Sequence, residues 1–157
     1  MQQVMTLYGN RALLEGLLKH GARFLVVGGI AVHLHDPARN IDGSDLDLLI
    51  ESTPKNAKHV ICALYNLELA PDFTEDSISS SALSRQHLPL KTQRFFADIL
   101  TTGPDIDFAH EWEQANEAMV NGQRVRYASI DLLIRMKEGS ERRKDQEDVA
   151  RLKMLVD

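Results

Sequence analysis

Residues 24–32 read FLVVGGIAV and residues 44–50 read SDLDLLI. Phe24 to Val27 is a short apolar, β-branched run entering Gly28-Gly29, and IAVHLH beyond it can start a helix, so the order is strand, glycine turn, helix. From Asp45, DLDLLIE alternates acidic and apolar side chains before turning wholly apolar. That is the pattern of a strand buried on one face and partly open on the other.

Working outward, Leu7, Leu13, Leu14, Leu17 and Leu18 recur at helical spacing, which predicts an amphipathic helix over residues 7–20 closed by Gly21. Thr53 and Pro54 cap and open a helix through Leu67. Residues 70–88, rich in Ser, Asp and Glu, show no period and read as a loop or short helix. Arg94–Leu100 reads as a strand, Phe108–Met119 as mainly helical, and Asn121-Gly122 between MV and RVRY as a hairpin turn. Ser129 caps a final helical region, Ile130–Val156, bent near Gly139-Ser140. The expected class is α/β (α+β): a mixed central sheet flanked by helices, with a C-terminal helical segment.

The chain has 157 residues, 43% of them hydrophobic and 26% charged. That suits one domain over 1–157, with a core at residues 22–128 and C-terminal helices at 129–156. Eighteen Lys and Arg against 23 Asp and Glu leave a net charge of −5, which argues against a general cationic nucleic-acid coat. Cys62 is the single cysteine, the opening MQQVMTLYGN lacks a basic leader and an apolar signal core, and no apolar run approaches a membrane span. A cytoplasmic location without a membrane partner is expected. Cys62 itself reads as a core residue on the apolar face of its helix.

Asp45 and Asp47 carry the sharpest chemical signal. Two residues apart on a strand they share a face, about 6.6 Å from one another at a rise of ~3.3 Å per residue. Such carboxylates repel unless a cation compensates, and hard oxygen donors favour Mg²⁺, with Mn²⁺ as the alternative. The competing reading is ordinary acids on a solvated strand edge. Gly28-Gly29 allows close backbone approach and leads into a helix whose free amides suit phosphate, yet the pair is neither GxGxxG nor a Walker loop. Asp105 and Asp107, after Gly103-Pro104, read as turn and cap residues. His33 and His35 complete no zinc set and read as packing or phosphate-contact residues, and Trp112 reads as an anchoring core aromatic.

Together FLVVGGIAV and SDLDLLI resemble the nucleotidyltransferase superfamily that includes polymerase β. The nearer resemblance is to small prokaryotic nucleotidyltransferases related to abortive-infection and toxin-antitoxin proteins, and it covers residues 22–155. VVGGIAVHLHDPAR is similar to their glycine turn and His-containing helix, FADILTT to their third-aspartate strand, and IDLLIRMKEGSERRKDQEDVARL to their C-terminal signature. The resemblance implies a nucleotidyltransferase fold, with Asp45, Asp47 and Asp98 as catalytic metal ligands and Gly28 and Gly29 at the phosphates. The segment IAVHLHDPARNIDGS is longer than its counterparts and lacks their Arg-x-Thr, for which Arg39 and Ser44 are the substitutes. Lys137 and Arg142 match the family's basic positions for phosphate, while Asp145 and Asp148 are read as orienting those bases.

The activity so implied is Mg²⁺-dependent transfer of NMP from an NTP, ATP or CTP first, to an acceptor hydroxyl, with release of pyrophosphate. The acceptor would be tRNA, a protein side chain or a small alcohol, in a toxin-antitoxin or phage-defence setting with a toxin or antitoxin partner. The altered loop before Asp45 motivates the alternative, a catalytically weak nucleotide-binding or partner-binding module on the same fold.

Overall fold

Phe24, Leu25, Val26 and Val27 form β1, and all four are buried. A strand without a polar face must lie inside a sheet covered on both sides, and that is where β1 sits. The computed structural model describes residues 8–41, 44–69, 71, 73–79, 87–91, 96–120 and 123–156. In chain order the elements are α1 (Tyr8–Lys19), β1 (Phe24–Val27), α2 (Gly28–His35), β2 (Leu46–Ile50), α3 (Pro54–Asn66), α4 (Glu75–Ser79) and β3 (His87–Lys91). They continue as β4 (Phe96–Thr101), α5 (Phe108–Gln114), β5 (Asn116–Val120), β6 (Gln123–Tyr127), α6 (Ile130–Lys137) and α7 (Arg143–Val156).

The six strands form one mixed sheet in the order β3-β4-β2-β1-β6-β5. β1 runs antiparallel to β2 and parallel to β6, β2 runs parallel to β4, and the outer pairs β3-β4 and β5-β6 are antiparallel. The helices pack in two groups, α1 with α3 and α4, and α2 with α6 and α7. Leu46, Leu48, Leu49 and Ile50 of β2 and Ala97 and Ile99 of β4 belong to one buried core cluster with Leu13 and Leu17 of α1 and Val60 and Leu64 of α3. Among the described residues, no helix is long and apolar enough to cross a membrane.

Local chemistry explains most element ends. Thr53 caps α3 by accepting from the Asn56 amide, with Pro54 in the first turn, and Ser129 caps α6 by accepting from Leu132. Asp107 caps α5 at the His110 amide, as its place after Gly103-Pro104 suggested. Gly139, at φ +83°, separates α6 from α7. Asn56, 2% exposed, accepts from Arg23 N and donates to the Arg23 and Glu51 carbonyls, tying the start of β1 to the end of β2.

Four expectations change. The helix foreseen over Phe108–Met119 stops at Gln114, and residues 116–120 become β5, because pairing with β6 supplies backbone partners that a lone last helical turn lacks. Residues 70–88 contain the short helix α4 and the start of β3, an edge strand visible only through its partner β4. β2 opens at Leu46, so Asp45 stands just ahead of the strand instead of within it. Cys62 is exposed, not core. Val120 pairs with Gln123, which bears out the hairpin, although Asn121-Gly122, Leu7 and residues 80–86 lie outside the described residues. Trp112 is half-buried against Phe108 and flanked by the guanidinium groups of Arg23 and Arg126, at 4.5 and 4.3 Å from its ring centre.

Candidate functional site

Two register relations assemble the site. In the parallel pair β2-β4 Asp47 stands opposite Asp98, and in the antiparallel pair β1-β2 Asp47 stands opposite Val27, the residue before the glycine turn. One polar position on each of two central strands, next to the point where β1 becomes α2, thus collects the acids beside Gly28. That glycine has φ +69°, and a Cβ on it would run into the Asp47 carboxylate. The position demands glycine twice, for its backbone and for its neighbour.

Asp98 is 6% exposed, and its Oδ1 lies 3.0 Å from His87 Nε2 on the edge strand β3. Asp47 is half-buried, and its pKa is pushed up to about 7, first by desolvation, then by the charge of Asp98 and its hydrogen bond with it, and then by the charge of Asp45. Lys137 opposes that shift. Without a compensating cation, Asp47 therefore keeps its proton up to near-neutral pH.

The glycine turn continues into a basic flank. A Cβ on Gly29 would lie 2.7 Å from Arg39 Nη2 and 3.5 Å from Ser44 Oγ, so the missing side chain is what lets both approach the backbone. Arg39 is held in place: Nε donates to Asp148 Oδ1 at 2.7 Å, Nη2 to Asp148 Oδ2 at 3.2 Å, and Nη1 to the Asn40 carbonyl. His33 Nδ1 donates to the Arg39 carbonyl at 2.7 Å, fixing the backbone below it. Lys137 Nζ reaches Asp145 Oδ1 at 2.9 Å and Asp148 Oδ2 at 3.2 Å. Burial raises the Asp148 pKa, but the Arg39 hydrogen bond and the charges of Lys137 and Arg39 outweigh it, and the net shift is downward. Asp145 behaves alike, burial being overcome by hydrogen bonds from Lys137 and Ser140. Asp145 and Asp148 therefore orient bases.

The sequence-derived set divides accordingly. Asp47, Asp98 and Gly28 come together; Gly29, Arg39 and Ser44 form the adjoining flank; and Lys137 joins the two, being paired to Asp148 while its charge acts on Asp47. Asp45 acts on Asp47 through charge from just before the strand. Arg142 is the outlier, exposed, with its amide donating to Ser140 Oγ and its charge bearing on Asp145. His87 was not foreseen as part of the site, because it lay in a segment without periodicity. His33, read as a packing or phosphate-contact residue, instead holds the Arg39 carbonyl. Among the described residues, no group of three or more His, Cys, Asp or Glu is arranged as a metal centre.

No known family model matches the chain, and no curated protein matches it in sequence. Among solved structures, it is similar to the crystal structure of an antigenic nucleotidyltransferase-like protein from Paracoccidioides brasiliensis. The identity is 18%, the match covers 94% of this chain and 75% of that one, and the TM-score is 0.47. A likeness that distant carries no functional argument.

Proposed function

We propose that this chain has a nucleotidyltransferase fold and transfers NMP from an NTP to an acceptor hydroxyl. The observation that carries the reading is the facing Asp47-Asp98 pair beside a glycine whose Cβ would occupy the same space. Carboxylates forced together inside a sheet cost stability unless something positive joins them. Their hard oxygens fit Mg²⁺ or Mn²⁺, and a Mg²⁺ site needs only one or two protein carboxylates when phosphate oxygens and water complete it. Asp47 and Asp98, with Asp45 alongside, would hold the ion, which would neutralise triphosphate charge and favour ionisation of the acceptor hydroxyl.

The chain's own groups supply the rest. Gly28 lets the Asp47 carboxylate, and Gly29 the Arg39 guanidinium, lie close against the backbone of the turn, while Arg39 and Lys137, preset by Asp148, present charge to the phosphate oxygens. The acceptor oxygen bonds to the α-phosphorus, the α-β anhydride bond breaks, and pyrophosphate leaves with the bonding electron pair. Asp98 takes the hydroxyl proton. ATP or CTP is the proposed donor, and tRNA, a protein side chain or a small alcohol the acceptor, in a toxin-antitoxin or phage-defence setting. A cytoplasmic location and a toxin or antitoxin partner belong to the same proposal.

The lack of a ready-made three-ligand cluster among the described residues favours a second reading, a nucleotide-binding or partner-binding module with weak catalysis. Calorimetric titration of ATP, GTP, CTP and UTP with and without Mg²⁺, on wild type and Asp47→Asn, tests the first step. Metal-dependent binding lost in the variant supports the site, and pyrophosphate release with a supplied acceptor then separates transferase from binding module. No binding by any nucleotide overturns the transferase and the nucleotide-binding module and leaves the partner-binding module.

A further inference from the structure

Beside Arg39 lies a cleft of about 260 Å³ lined by Arg39, Asn40, Lys144, Glu147, Asp148 and Arg151, and neither glycine of the turn lines it. Its side chains come from the loop after α2 and from successive turns of α7, so two separate chain segments build its walls. Lys144 is exposed, and among the described residues no hydrogen bond or ion pair occupies its ammonium group. Arg151 gives Nη1 to Asp36 Oδ2 at 2.6 Å, which leaves most of its N–H donors uncommitted. Arg39, with a side chain 16% exposed, is locked by Asp148 yet keeps a donor each on Nη1 and Nη2.

On the acceptor side, both Asp148 oxygens already serve Arg39 and Lys137, while the exposed Glu147 turns Oε1 to Arg143 at 3.2 Å and keeps its other oxygen as acceptor. A pocket whose unused donors on Arg39, Lys144 and Arg151 outnumber its free acceptors suits a ligand group made of acceptor oxygens with negative charge. The guanidinium already fixed in its wall lowers the ordering cost of binding. The volume falls below the ~300–1,000 Å³ of drug-sized sites, leaving room for one phosphate with the alcohol that carries it.

We propose that the cleft bounded by Arg39, Lys144 and Arg151 is a phosphate subsite, adjoining the triphosphate site and sharing Arg39 and its anchor Asp148 with it. It rests on the transferase reading solely in assigning the bound phosphate to the acceptor. The phosphate is either a monoester on a small acceptor or a diester in a nucleic-acid backbone.

The test is a metal-free titration of inorganic phosphate into the full chain, followed by amide NMR. Wild type should show saturable shifts at Asn40, Lys144 and Arg151. Lys144→Glu should weaken binding at least tenfold, Lys144→Gln should weaken it less, and Asp47→Asn should leave it unchanged. Unaltered melting temperatures show that the Lys144 variants fold. Hexauridylate is the second probe: tighter binding than phosphate, falling steeply with salt, identifies a diester backbone, and binding no tighter than phosphate identifies a monoester. Absent saturation, indifference to Lys144→Glu, or loss in Asp47→Asn overturns the subsite. A metal-dependent nucleotide titration that still succeeds then leaves the transferase reading standing, whereas phosphate binding without nucleotide binding does the reverse.

Discussion

Asp47 and Asp98 face one another across the parallel pair β2-β4, and the desolvation and repulsion they share hold Asp47 near pKa 7 where an ordinary aspartate sits at 3.8. A carboxyl whose folded pKa is raised binds its proton more tightly in the native state, so its stability contribution is full below the unfolded value and is lost as pH rises through the folded one. Without divalent cation, stability should therefore fall between about pH 4 and pH 7, by an amount on the order of a few kcal/mol. Urea midpoints at pH 5 and pH 8 check this. Asp47→Asn should flatten the difference, and an equally steep fall in the variant would place its source elsewhere.

Divalent cation should reverse that loss. At pH 8, Mg²⁺ or Mn²⁺ at millimolar concentration should raise the melting temperature of wild type, because binding to the native state alone stabilises it by RT ln(1 + [L]/Kd). Asp47→Asn and Asp98→Asn should each abolish the rise. Equal rises in all three proteins would remove these acids from the ion.

Gly28 and Gly139 both have positive φ, yet only Gly28 has a neighbour in the way. Gly139→Ala should cost roughly 1 kcal/mol from backbone strain alone. Gly28→Ala should cost more and should also displace the Asp47 carboxylate, weakening metal-dependent nucleotide binding. Chemical denaturation paired with calorimetry separates the two effects. Similar costs at both glycines would mean that Asp47 gives way freely.

Asp148 serves two cations from a position 2% exposed. Removing one partner of a buried ion pair typically costs ~3–5 kcal/mol, and Asp148→Ala should approach that range while freeing Arg39 and Lys137 from their set positions. Nucleotide affinity should fall with stability. Asp148→Glu, able to pair but longer, should recover part of both, and denaturation curves with nucleotide titrations on the two variants supply the comparison.

Asn56 makes three hydrogen bonds to the backbone of residues 23 and 51. Its truncation to Ala leaves buried backbone groups without those partners, at ~1–3 kcal/mol for each unsatisfied group. Asn56→Ala should lower stability by about 2–4 kcal/mol with little change in nucleotide affinity per folded molecule, since the bonds lie at the Phe24 end of β1 and the acids at its Val27 end.

Much of this was legible in the chain because the relevant signals are local. The apolar run into Gly28-Gly29, the Thr53-Pro54 and Ser129 helix starts, the break at Gly139 and the type of β1, β2 and β4 all depend on backbone preferences and side-chain periods within a few residues. The carboxylates at 47 and 98 were visible as acids inside otherwise apolar strands. By contrast, residues 116–120 carry no period strong enough to refuse a helix, and β3 is a five-residue edge strand containing Pro89. Both are strands because a neighbour supplies their hydrogen bonds.

By itself the sequence determined which segments form strands in the core, where α3 and α6 begin, and that the glycine turn is followed within twenty residues by an acid, Asp47, on a core strand. Tertiary structure decided what those acids face. Only the β2-β4 register sets Asp47 against Asp98, only the return of α7 brings Asp148 to Arg39, and only β3 brings His87 to Asp98. The first two contacts join residues far apart in sequence and the third joins neighbouring strands, and the shift at Asp47 and the Arg39-Asp148 ion pair arise from burial and proximity that no local pattern encodes.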